Sequence, residues 1–124
     1  IEVNANLSAI IMIGSILEGV LLGSALNDMR TFNQAKNAPK NKEGKNKHFQ
    51  DWKLSEFIDV ANEIGYLKED VKKFSHVVRD FRNYIHPYQQ YGSHFFPDGY
   101  TVKICFQVLK AALHELSFNT KNNL

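Results

Sequence analysis

Apolar residues recur at steps of three and four along most of this chain, and no segment alternates convincingly with period two. The pattern predicts four helices. The first runs from about Asn6 to Asn33, apolar on most sides early and polar after Asn27. A helix apolar nearly all round belongs at the centre of a bundle. Its stripe Leu7, Ile11, Gly14, Glu18, Leu21 and Ala25 sets a carboxylate on an apolar face, where it needs a partner. An arginine of the third helix is the favoured partner; a lysine or a helix N-terminus elsewhere is the alternative.

The second helix opens near Asp51, a good N-cap, carries Leu54, Phe57, Ile58, Ala61 and Ile64 as its stripe, and stops at Gly65. The third starts with Glu69 and Asp70, which suit the positive end of a helix. Val71, Phe74, Val78, Phe81 and Ile85 form its stripe, and Pro87 ends it. An aromatic segment follows, closed by Pro97-Asp98-Gly99. The last helix, from about Thr101 to Phe118, is expected to bury Val102, Cys105, Phe106, Leu109, Ala112, Leu113 and Leu116. The expected fold class is all-α, an antiparallel bundle of four helices, five at most.

Between Lys36 and His48 the pattern lapses into KNAPKNKEGKNKH, with five lysines and one glutamate. It cannot build a core and reads as a flexible basic loop, either a solvated linker, the favoured reading, or a contact to phosphate. The whole chain is balanced, with 15 Lys+Arg against 13 Asp+Glu, which excludes both a strongly basic nucleic-acid tail and an acidic disordered activator. A single cysteine, Cys105, excludes a disulfide framework and cysteine zinc clusters, and fits a reducing, cytoplasmic setting. Residues 9–26 are about long enough to span a bilayer, but Glu18 in their middle favours a buried helix, so no membrane partner is expected. The start at Ile1 points to one domain, 1–124, excised from a longer protein. The five histidines show no metal spacing and no glycine-rich loop follows a strand, so neither metal nor cofactor is expected. Gly19 and Gly23 form a GxxxG that permits close helix packing.

Candidate chemistry concentrates at VVRDFRNYIHPYQQY, the end of the third helix. At about 100° per residue, Arg82, His86 and Arg79 share one stripe beside the apolar one, with Asn83 next to it. An imidazole can move protons to or from a ribose 2′-hydroxyl or a leaving oxygen. Guanidinium groups orient a phosphate and stabilise its developing charge. The alternative is structural: basic residues in a last turn satisfy carbonyls and complement the dipole. Tyr88, Tyr91, Phe95, Phe96 and Tyr100 stack on RNA bases or, the favoured reading, cover the end of the bundle.

Arg82-Asn83 with His86 three residues further on, Arg79-Asp80 with six residues intervening before the same histidine, and Tyr88 after it resemble the HEPN family motif. That motif is an arginine, a polar residue, and a histidine after four to six intervening residues. The opening IIMIGSILEGVLL is similar to the first helix of such domains, with Glu18 at an acidic position. The resemblance implies a homodimeric, metal-independent RNA endonuclease with its cleft at the interface, in a defence or toxin–antitoxin system with an antitoxin or other protein partner. Arg79, Arg82, Asn83 and His86 would be catalytic there; Glu18, Asp80 and Tyr88 would support them. The alternative is a non-catalytic module for dimerisation or for binding RNA, nucleotide or protein. A third possibility is a domain that only tethers a larger enzyme.

Overall fold

The structure, a computed structural model, describes residues 2–84 and 97–122. His86, Tyr88, Tyr91, Phe95 and Phe96 lie outside the described residues, as does Ile85. The all-α bundle is as expected. Its helices are α1 (Glu2–Asn27), α2 (Met29–Gln34), α3 (Leu54–Glu63), α4 (Glu69–Tyr84) and α5 (Gly99–Asn122), with a 3₁₀ turn at Phe49–Asp51.

The expected first helix is broken in two at Asp28. Its carboxylate accepts the Thr31 hydroxyl at 2.8 Å and the Tyr66 hydroxyl at 2.7 Å, and its φ of −144° lies outside the helical region. The break turns α2 so that Phe32 is fully buried. There it meets Phe49 and Tyr66 edge-on, and Phe49 continues through Trp52 to Phe57. This aromatic cluster ties α2 and the 3₁₀ turn to α3.

Helix α4 runs antiparallel to its neighbours. Arg82 lies beside Glu18 of α1 and Tyr66 beside Asp28. His76 Nε2 lies 2.7 Å from Asp59 of α3, and Lys68 N–H donates to Glu115 of α5. Helices α1 and α3 therefore point the same way, because the 28–53 connection carries the chain back along the bundle.

Helix α1 does not have its whole circumference buried. Leu7, Ile10, Ile13, Leu17, Leu21 and Ala25 face the core, whereas Ile11, Met12, Ile16 and Leu26 are exposed, Met12 at 63%. Ile11 is thus outside rather than in the buried stripe, and Glu18 is half-buried. The segment Asn4–Asn27 is long and apolar enough to cross a membrane, and 39% of its most apolar window is buried within the protein. A Cβ at Gly19 or Gly23 would meet nothing within 4 Å, so the GxxxG packs against no described helix of its own chain.

Of the expected α3 stripe, Leu54, Phe57, Ile58 and Ala61 are buried and Ile64 is half-buried, while Val60 is buried as well; Gly65 turns the chain at φ +89°. The helix opens three residues after Asp51, with Lys53 N–H donating to Glu56 Oε1 at 2.7 Å, one half of a capping box. On α4, Phe74 is 55% exposed and Ser75 is fully buried. On α5, Phe106 and Leu113 are exposed, while Cys105, Leu109, Ala112 and Leu116 are buried. These reversals share a cause: a stripe wider than the available core leaves its edge outside. Burial raises the Cys105 thiol pKa, as befits a core residue. Helix α5 begins at Gly99, capped by Asp98 Oδ1, which accepts the Thr101 N–H at 3.0 Å.

The lysine-rich segment, expected as a flexible loop, has a defined hydrogen-bonded geometry. Glu63 accepts the Lys36 and Asn37 N–H groups, and Asn41 Oδ1 accepts those of Glu43 and Lys45. Gly44 makes the turn at φ +79°.

Candidate functional site

A polar cleft of about 290 Å³ opens where α1, α3 and α4 meet. Its lining is Glu18, Lys53, Leu54, Ser55, Arg79, Arg82 and Asn83. Four of the residues singled out in the sequence are therefore brought together: Arg79, Arg82 and Asn83 from one end of α4, and Glu18 from the middle of α1. The α4 members gather because residues three and four apart share a helix face.

Glu18 pairs with an arginine of α4, as expected. Arg82 Nη1 lies 3.5 Å from Glu18 Oε2, the outer limit of a hydrogen bond, and both side chains are partly exposed. Gly14 makes the approach possible. A methyl group at position 14 would stand 2.6 Å from Arg82 Cδ and 3.3 Å from its Cγ. The aliphatic stem of Arg82 thus crosses α1 directly over the missing side chain, and its charged end reaches Glu18 one turn further along.

Arg79 is held differently. Its Nη2 and Nε both reach Asp80 Oδ1, at 2.6 and 3.2 Å. Asp80 is exposed and lies outside the lining, so it acts on the cleft through Arg79. His86 and Tyr88, the other two candidates, lie outside the described residues.

Lys53 and Ser55 were not singled out in the sequence, and Leu54 was expected only as a core residue. They enter because α3 starts at the cleft, with its first N–H groups and positive dipole end nearby. No local signal marks Lys53, since its place depends on how the 28–53 connection returns along α1. The lining holds three cations against one carboxylate, an arrangement that attracts an oxyanion. Lys53 offers a compact charge and the arginines offer planar donors suited to phosphate. Ser55 and Asn83 add neutral hydrogen-bonding groups. Among the described residues, no three His, Cys, Asp or Glu side chains are grouped to hold a metal ion.

Comparison with protein-family models, with characterised proteins and with solved structures finds no match to the chain.

Proposed function

We propose that this protein is an RNA-directed domain of the HEPN type, a metal-independent endoribonuclease that works as a homodimer in the cytoplasm. The observation that carries this reading is the convergence of Arg79, Arg82 and Asn83 with Lys53, Ser55 and Glu18 in one polar cleft. The ribose 2′-oxygen attacks the adjacent phosphorus as the bond to the 5′-oxygen breaks. The products are a 2′,3′-cyclic phosphate and a 5′-hydroxyl. One proton leaves the 2′-hydroxyl and one reaches the departing 5′-oxygen; His86 is the residue assigned to these transfers. Arg82 and Arg79 hold the non-bridging oxygens, Lys53 adds positive potential, and Asn83 orients the phosphate. Glu18 and Asp80 position the two guanidinium groups, and Tyr88 contacts substrate or orients His86. The uncharged outer face of α1, where Ile11 is exposed two turns before Glu18 on the same side of the helix, supports a second copy docking beside the cleft. A role in defence or in a toxin–antitoxin pair, with a protein partner, follows from the resemblance to the family.

The test is incubation of structured and single-stranded RNA with wild type and His86→Ala in EDTA, with light scattering on the same samples. Cleavage that survives EDTA and disappears in a still-dimeric variant is the expected result. A well-formed dimer that cleaves no RNA overturns the catalytic reading.

A second reading, a non-catalytic binding module, is favoured by two observations. Only three residues separate Arg82 from His86, and Arg79 is engaged by Asp80. Arg82→Lys separates the two, because lysine keeps the charge and loses the planar fork. A nuclease loses cleavage with its dimer intact, and a merely cationic surface tolerates the change.

A further inference from the structure

We infer that the lysine-rich turn at 36–48 continues the anion-binding cleft into a track for the phosphates of single-stranded RNA. This inference rests on the reading of the cleft as RNA-directed.

The turn is built to present charge. Asn41 is its internal clamp: its side-chain oxygen accepts two N–H groups of the tip, and its own N–H donates to Lys45 O at 2.8 Å. Lys47 N–H donates to Pro39 O, so the two arms are tied together below the tip. The entering arm is fastened to α3 through Glu63, which accepts two successive N–H groups. Lys42 and Lys45 stand exposed on this frame, and Glu43 is the one acid between residues 36 and 48. A solvated linker has no need of such bonds, whereas a pre-ordered set of cations spends less entropy when it binds.

The far arm leads to the cleft. Trp52, buried in the aromatic cluster, donates its indole N–H to Lys47 O at 3.1 Å. The next residue is Lys53, which lines the cleft. Five residues separate Lys47 from Lys53 in the chain, six steps that span at most about 20 Å. The intervening 3₁₀ turn at Phe49–Asp51 shortens it further. In the proposed track the scissile phosphate sits between Arg82 and Lys53, and the strand runs on to Lys47, Lys45 and Lys42. Asp51 and Glu43 are the acids along this path, against four lysines. The proposed substrate is thus an extended strand, gripped beyond the reacting bond, rather than a mononucleotide.

The experiment compares the full chain with the triple variant Lys42→Gln, Lys45→Gln, Lys47→Gln; Lys40 is left intact because it bonds Asn46 within the turn. The probes are 2′-O-methyl oligouridines, which lack the nucleophile, of about 16 and about 4 nucleotides. Binding is read by fluorescence anisotropy across a salt series, and circular dichroism checks the fold. The triple variant is expected to bind the long probe about 10-fold more weakly, with a salt slope shallower by about 2, and the short probe as before. Unchanged long-probe binding in the triple variant, with binding lost in Arg82→Ala, overturns the track and leaves the cleft reading standing. Equal loss of both probes also overturns the track. So does unchanged RNA binding with weakened binding to phosphatidylserine vesicles, which assigns the turn to a membrane surface. A wild type that binds neither probe overturns the cleft reading, and the track with it.

Discussion

Two hollows flank α1, and their chemistry is opposite. On one side is the polar cleft of about 290 Å³ with Glu18, Lys53, Arg79 and Arg82. On the other, a groove of about 380 Å³ between α1 and α5 is lined by Met12, Ile13, Ile16, Val102, Phe106 and Leu109, with Lys103 and Gln107 among its few polar residues. The apolar groove can reward only the removal of surface from water, a non-directional gain. The polar cleft holds three cations near one carboxylate, so an incoming anion relieves repulsion as well as forming hydrogen bonds. A groove of the first kind selects partners by shape; a cleft of the second kind selects a charge and can act on it. That α1 borders both follows from its composition. It is so apolar that the core uses only one of its faces.

The comparison breaks most directly at Arg82. Arg82→Ala is expected to slow RNA cleavage by at least about 100-fold while thermal melting moves little. Cleavage within 10-fold of wild type would place the reaction elsewhere. Next in size is Gly14→Ala. The added methyl group displaces the Arg82 stem from α1, so cleavage should fall about 10-fold and stability by about 1–3 kcal/mol, read by chemical denaturation. An unchanged rate would mean that the path of Arg82 over α1 has no bearing on the cleft.

On the apolar side, Phe106→Ser is expected to weaken binding of a hydrophobic fluorescent dye several-fold and to change phosphate binding to the cleft less than twofold. If both fall together, the hollows are not independent. The smallest effect concerns acid. Asp98, at the start of α5, has its pKa lowered first by the Thr101 backbone N–H. A carboxylate with a depressed folded-state pKa contributes stability above its unfolded pKa and loses it as pH falls through the folded value. Melting of Asp98→Ala should therefore depend less on pH below about 4 than that of wild type, with the gap closing at the acid end.

The parts of the fold legible in the sequence are those where polar and apolar faces contrast. In α3 the spacing names four of the five buried residues, missing Val60, and Gly65 ends it. In α1 the contrast is missing, so periodicity carries no phase, and Ile10 and Ile11 cannot be told apart before the neighbours are placed. Phe74 and Phe106 mislead for a related reason: hydrophobicity says what a residue would gain by burial, not whether the core has room for it. In the site, the Glu18–Arg82 pair was legible because a carboxylate on an apolar stripe demands a partner. Lys53 and Ser55 were not, because nothing about a lysine before a helix tells which cleft that helix starts in. Asp28 hid for a local reason: a single aspartate is tolerated within a helix, and only its bonds to Thr31 and Tyr66 make it a break.

Gly14 also turns the cleft into a gauge of helix registration. Slide or rotate α1 by one residue against α4 and either Ile13 or Ser15 comes under the Arg82 stem, where a side chain blocks its path. The cationic cluster can then no longer assemble, even if the core tolerates the slip. A chain collapsed into a loosely ordered bundle would thus carry every residue of the site and none of its geometry, so affinity for the anion should arise only with the final locking of α1 against α4.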